Sequence, residues 1–191
     1  MTSFVLFDTA LGTVGLAWGE GGIVGVRLPA ASREATRASL LARHPAAVEA
    51  EPPAAIRAVI DRIVALTRGE RVDLADAPLD RAGLADFPAR VYDVALAIPP
   101  GETLTYGEVA RRIGEPGAAQ AVGRALGANP WPIIVPCHRV LAASGGTGGF
   151  SAPGGVATKL KLLSIERART SAAPTLFDDD PAFGLAVKPR A

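Results

Sequence analysis

The sequence predicts an α+β protein of two unequal domains, and three observations carry that prediction. Three short stretches rich in β-branched and aromatic residues open the chain, separated by glycine turns. Segments with apolar residues at helical spacing follow them. Further on, two short helical segments flank a glycine-containing turn and lead into an apolar run that ends at the only cysteine. The boundaries read as residues 1–84 for an N-terminal α+β domain, 85–169 for a C-terminal domain, and 170–191 for a flexible tail.

Phe4–Phe7, Gly12–Trp18 and Ile23–Leu28 are expected as a meander of hairpins, turned at Leu11-Gly12 and at 19–22. Ser32 to His44 is a helix with Ser32 as its cap and Glu34 in its first turn, stopped by Pro45. Pro52 to Arg68 is a second helix, with Ile56, Val59, Ile60, Ile63, Val64 and Leu66 largely on one face and Gly69 at its end. Asp73 to Asp86 connects the domains. Phe87 to Ile98 is helical and tolerates Pro88 in its first turn. Thr105 and Glu108 form a capping box for a short helix over 106–113. A second helix runs from Ala118 to about Gly127, giving a helix-turn-helix. The apolar run Ile133-Ile134-Val135 is expected as a buried strand that Pro136 stops, with the thiol of Cys137 at its end. Ser144 to Phe150 is a glycine-rich loop, and Gly155 to Arg169 is the last helix, with Leu160, Leu162, Leu163 and Ile165 apolar.

Composition narrows the function classes. Hydrophobic content of 49% and charged content of 20% describe a globular chain able to bury a core. One cysteine excludes an internal disulfide, and with two histidines it argues against a zinc site. Cytoplasmic residence follows as the expectation. The first fifteen residues contain Asp8 and lack a basic flank, unlike a secretory signal, and no apolar run approaches membrane-spanning length. Net charge is +1, but residues 85–169 hold 9 basic and 6 acidic side chains, against 9 and 10 in residues 1–84. The basic excess therefore falls on the segment with the cysteine, in the sense that nucleic-acid binding requires.

Chemistry concentrates at Asn129-Pro130-Trp131-Pro132-Ile133-Ile134-Val135-Pro136-Cys137-His138-Arg139-Val140. Most lone cysteines are small core hydrophobes. This one is crowded by proline, histidine and arginine, and a thiol beside imidazole and cations is expected to have a lowered pKa and to act as a nucleophile. Pro136-Cys137-His138-Arg139-Val140, preceded by Asn129-Pro130, resembles the active-site signature of the O6-alkylguanine-DNA alkyltransferases, which repair alkylated guanine by accepting the alkyl group themselves. The likeness covers residues 85–169 well and the first 84 in outline.

That resemblance implies an RNase H-like N-terminal domain and a helix-turn-helix, winged-helix-like alkyltransferase domain. It implies a monomer without cofactor, metal or membrane, acting once per molecule on DNA containing O6-alkylguanine, with O4-alkylthymine as a further substrate, through the minor groove. By position, Cys137 is the nucleophile, His138 the base acting through a water, Glu166 its orienter, and Asn129 the residue that holds the turn through backbone hydrogen bonds. Arg139 reads as half of a structural ion pair. Tyr106 meets the flipped guanine, and Pro132, Val140, Phe150 and Ser151 form pocket walls, with backbone groups of Cys137, Val140 and Ser151 reading the base. Ala119, Gln120, Gly123 and Arg124 face DNA. Two departures stand out. Gln120 occupies the place of the family's inserted arginine, which implies weakened duplex activity unless Arg124, one turn later, substitutes. The lid at 151–155 is about two residues longer than in the family. The rival readings are a lesion-binding protein without chemistry and a regulatory DNA-binding protein whose cysteine is a sensor.

Overall fold

The computed structural model describes residues 1–143, 148–149 and 154–168. Strands β1 (Ser3–Thr9), β2 (Gly12–Gly19) and β3 (Gly22–Arg27) form the expected antiparallel meander. Helix α1 (Arg33–Arg43) follows, and the Ser32 hydroxyl accepts from the Ala35 amide as its cap. A two-residue strand the sequence pattern does not signal, β4 (Val48–Glu49), then adds parallel to β1, giving the order β3-β2-β1-β4. Strand β2 lies inside this sheet and is buried on both faces. Val14, Leu16 and Trp18 join the main core, while Ala17 packs with Phe4, Leu6 and Leu40 beneath α1.

Helix α2 (Ala54–Thr67) buries Ile56, Val59, Ile60, Ile63 and Leu66, the face that helical spacing marks out. The connection after it is not a free linker. It lies along β3, where the Ile23 amide donates to the Pro78 carbonyl at 2.7 Å and the Asp80 amide donates to the Ile23 carbonyl at 2.9 Å. Gly22 makes this docking feasible: its φ is +118°, and a Cβ there would collide with the Pro78 carbonyl.

Helix α3 (Asp86–Leu96) buries Val91, Tyr92 and Ala95. Strand β5 (Leu104–Thr105) leads directly into α4 (Tyr106–Arg112), whose capping box is fully formed: the Thr105 hydroxyl accepts from the Glu108 amide, and the Glu108 carboxylate accepts from the Thr105 amide. The turn 113–118 contains Gly114 and Gly117 and leads to α5 (Ala119–Gly127). Strand β6 (Val140–Leu141) pairs parallel with β5, a second small sheet with no sequence signature. Helix α6 (Gly155–Ile165) ends just before Glu166, which occupies the C-cap position rather than lying within the helix. One continuous apolar cluster runs from β2 and β3 through α2, α3 and α5 to Leu162. Residues 169–191, including the expected tail, lie outside the described residues.

One expectation fails. Residues 133–135 are not a strand but a tight turn, bridged between Pro132 and Val135, with Ile133 at φ 75°. A β-branched residue in that region is strained by about 1–3 kcal/mol, which only the surrounding packing sustains. Cys137 accordingly opens a 3₁₀ turn, Cys137–Arg139, instead of ending a strand.

Gly22→Ala is expected to lower stability by more than about 2 kcal/mol, because it adds a collision to an unfavourable backbone conformation. Gly83, at φ +74° with nothing within 4 Å of an added Cβ, serves as the control, and Gly83→Ala should cost only about 1 kcal/mol. Urea unfolding midpoints separate the two, and equal losses would show that the Pro78 contact is irrelevant.

Candidate active site

The turn before the cysteine is held from both sides. Asn129 donates its side-chain amide to the Val135 carbonyl at 2.9 Å and accepts from the Trp131 amide at 2.9 Å. From the N-terminal half, the Val26 amide of β3 donates to the Pro130 carbonyl at 2.8 Å, and Trp131 Nε1 donates to the Ile23 carbonyl at 2.7 Å. The Trp131 ring stands edge-on to Tyr92, whose hydroxyl donates to the Ala125 carbonyl of α5. The strained Ile133 is therefore pinned between the edge of a sheet and a helix.

Behind the 3₁₀ turn lies a buried charge network. Glu166 faces His138 and Arg139 together. Its Oε1 is 2.9 Å from His138 Nε2 and accepts from an Arg139 terminal nitrogen at 2.8 Å, while Oε2 accepts from Arg139 Nε at 2.8 Å. The remaining Arg139 nitrogen donates to the Ile98 carbonyl at the end of α3. Burial opposes ionisation of Glu166, but His138 and Arg139 outweigh it and hold the carboxyl at about 2. Burial lowers the pKa of His138, with Glu166 offsetting part of the effect, so the ring is neutral at rest. With Nε2 taken, His138 Nδ1 is buried and has no protein partner among the described residues.

The thiol corrects a second expectation. Burial pushes the pKa of Cys137 up, and the hydrogen bond from Asn129, the charge of Lys159 and backbone hydrogen bonds offset this only in part. It rests as a thiol, 8% exposed. Sequence adjacency to His138 misled, because the imidazole is neutral and turned to Glu166.

Lys159 is the group the sequence reading missed. It is fully buried on α6, donates to the Val140 carbonyl at 2.6 Å, and lies 5.7 Å from the Tyr106 ring centre. Burial brings its pKa down to about 8, against the pull of Cys137. A lysine between Thr158 and Leu160 reads as solvent-facing, and only the fold turns it inward.

Cys137 opens onto a cleft of about 1310 Å³. Tyr106, Ala119, Gln120, Gly123, Arg124, Asn129 and Pro132 line it, which brings together most of the residues singled out above. Tyr106 begins α4 and is half-buried, with Gly148 of the glycine-rich loop against its hydroxyl. Gln120 and Arg124 are exposed on α5. Val140 is not in the lining: it is fully buried, and Lys159 occupies its carbonyl. Phe150 and Ser151, with most of the lengthened lid, lie outside the described residues. Arg27, Ser39 and Arg43 enter the lining from the N-terminal half, where sequence had suggested no chemistry. Among the described residues no group of histidine, cysteine and carboxylate side chains could hold a metal, and no helix is long and apolar enough to cross a membrane.

Residues 86–168 match the family model described as 6-O-methylguanine DNA methyltransferase, DNA binding domain. A Mycobacterium tuberculosis methylated-DNA–protein-cysteine methyltransferase is 48% identical over 126 residues, covering 66% of this chain and 74% of the relative. A Thermus thermophilus DNA base-flipping protein is 41% identical over 127 residues, 66% of this chain and 83% of its own. Among solved structures, that of Mycobacterium tuberculosis OGT in complex with DNA superposes with a TM-score of 0.69 at 38% identity, over 86% of this chain and 92% of the other. Sequence kinship and backbone likeness both extend well outside the cysteine motif, and the chain belongs to the methylated-DNA–protein-cysteine methyltransferase family.

Proposed function

We propose that this chain repairs DNA by moving an alkyl group from guanine O6 to the sulfur of Cys137, once per molecule. The observation that carries the reading is a buried thiol opening onto a large cleft with an aligned His138–Glu166 pair directly behind it. At about 1310 Å³ the cleft exceeds the roughly 300–1,000 Å³ of a small-molecule pocket, as a nucleotide with its flanking backbone requires. A stacked base must first be rotated out of the duplex, at a cost of a few kcal/mol. The sulfur lone pair then forms the S–C bond as the C–O6 bond breaks, and the released electron pair stays on guanine. The thiol proton passes through a water to His138 Nδ1, the ring nitrogen not committed to Glu166. Guanine regains a proton from the Tyr106 hydroxyl beside it, and the proton held on His138 is returned through water to Tyr106. Lys159 stabilises the thiolate as it forms.

The remaining parts of the reading follow. Helices α4 and α5 act as a helix-turn-helix in the minor groove, where Ala119 and Gly123 permit close approach, and residues 85–169 form the alkyl-transfer domain. Residues 1–84 form an RNase H-like domain, supported by the mixed sheet in which β4 joins parallel to β1 after α1. The protein works as a cytoplasmic monomer. A lesion binder without chemistry is disfavoured by the presence of Cys137 in the cleft wall.

Free Cys137 should react with iodoacetamide more slowly at pH 7 than cysteine in a peptide, since burial raises its pKa. Lys159→Met removes a cation that lowers that pKa, so the onset of alkylation should move to higher pH; mass spectrometry across pH 6–10 reads both, and an unmoved onset would remove Lys159 from the mechanism. Incubation with O6-methylguanine duplex should add one methyl to Cys137 and none to Cys137→Ser. Gln120→Arg is expected to raise the single-turnover rate on duplex about tenfold, the effect of about 1.4 kcal/mol, with little change on single strands. Equal duplex rates for the two proteins would mean that Gln120 does not limit repair.

A further inference from the structure

The cleft has a second wall that the transfer chemistry leaves unused. Arg27, at the end of β3, and Ser39 and Arg43, on α1, line it from the N-terminal half, while Arg124 lines it from α5. Leu126 to Asn129 lie in the same lining, and among the described residues no aspartate or glutamate does. Elsewhere in this half Arg33, Arg37, Arg57, Arg62 and Arg81 each take a carboxylate, while Arg68 and Arg71, which lie outside the cleft lining, take none among the described residues. Arg27 and Arg43 pair with no carboxylate among the described residues, and they lie close enough for Arg43 to depress the pKa of Arg27 after burial. His44 joins them, packed so tightly on β3 that a Cβ on Gly25 would come within 2.8 Å of its Nε2. Burial, Arg27 and Arg43 all depress its pKa, and no acid opposes them.

Neighbouring cations held together without an anion repel one another, and a bound anion relieves that repulsion. Arg27 is also held in place. Val26 is hydrogen-bonded to Pro130 in the turn that carries Asn129, and the Arg27 guanidinium donates to the Val26 carbonyl at 3.0 Å. The guanidinium is thus fixed relative to the turn before the nucleophile. Planar guanidinium groups suit phosphate oxygens, which they can grip in a two-pronged manner.

We propose that Arg27 and Arg43 bind backbone phosphates of the DNA whose nucleotide enters the cleft, making the N-terminal half part of the DNA-binding surface. The inference rests on the alkyl-transfer reading above. It assigns a partner to a surface of the first 84 residues, and it supplies cations on the wall facing α5, the helix in which position 120 is a neutral glutamine.

The test uses the full chain and its Arg27→Gln, Arg43→Gln and double variants. Binding to lesion-bearing duplexes of two unrelated sequences is measured between 50 and 200 mM KCl, and Cys137 alkylation is timed with the duplex and with free O6-benzylguanine, which has no phosphate. The expected result is a salt dependence shallower by about one log unit per log unit of salt for each arginine removed, with equal loss on both sequences. The ratio of DNA rate to free-base rate should fall about tenfold in the double variant, and Arg43→Lys should keep most of the wild-type slope. An unchanged slope and ratio in the double variant would overturn the proposal. Arg43 is exposed, so Arg43→Gln alone decides the matter if the double variant does not fold. Failure of the wild type to alkylate with either reagent would sink the alkyl-transfer reading instead, while the salt slopes would still report on the arginines.

Discussion

Glu166 is an anion almost without water around it, 7% exposed, and the site is built on the groups that make its charge tolerable. A buried carboxylate is stable only when its oxygens are matched, and here Arg139 takes both of them while His138 faces one. Three separate pieces of chain meet through that carboxylate: the end of α6, the 3₁₀ turn after Cys137 and, by way of Arg139, the end of α3. Without Glu166 the fold would hold an unpaired guanidinium beside a neutral imidazole free to turn. With it, the ring is oriented by Nε2, and Nδ1 is the nitrogen left for chemistry.

The same network explains why the thiol need not be ionised at rest. A thiolate held permanently in a nearly dry site would be costly, and burial indeed keeps the proton on sulfur. The cations and donors around it, Lys159 and Asn129, reduce that cost when the proton departs without removing it beforehand. A neutral imidazole backed by a firmly ionised carboxylate is the matching acceptor, since Glu166 at about 2 stabilises the imidazolium that forms. Protonation states and geometry therefore agree on a nucleophile generated on demand.

The N-terminal half contributes more than ballast to this arrangement. β3 is an edge strand whose exposed backbone groups are taken up by the 78–80 connection and by the Pro130–Trp131 turn, so one strand edge both escapes unpaired exposure and braces the strained Ile133. A single apolar cluster continues from that sheet into α3, α5 and α6. Strain at the active turn is sustained by packing from both halves of the chain.

Local chemistry was readable from the residues in order. The Thr105–Glu108 capping box, the Ser32 cap, the hairpin glycines and the buried face of α2 all follow from interactions spanning a few residues, and the Pro136–Val140 string marks the reactive turn. What adjacency could not convey is what each side chain meets. The apolar run 133–135 looks like a strand because a buried turn and a buried strand both exclude water, and only the docking of Pro130 and Trp131 on β3 selects the turn. The two-residue strands β4, β5 and β6 are too short to carry a pattern. Lys159 turned inward, Glu166 brought to His138 across 28 residues, and Arg27 and Arg43 set beside the cleft are all products of long-range packing. The linear chain determined which groups are available and how each segment begins and ends. The folded chain alone decided their desolvation and their partners, because burial and charge pairing depend on distances in space and not along the backbone.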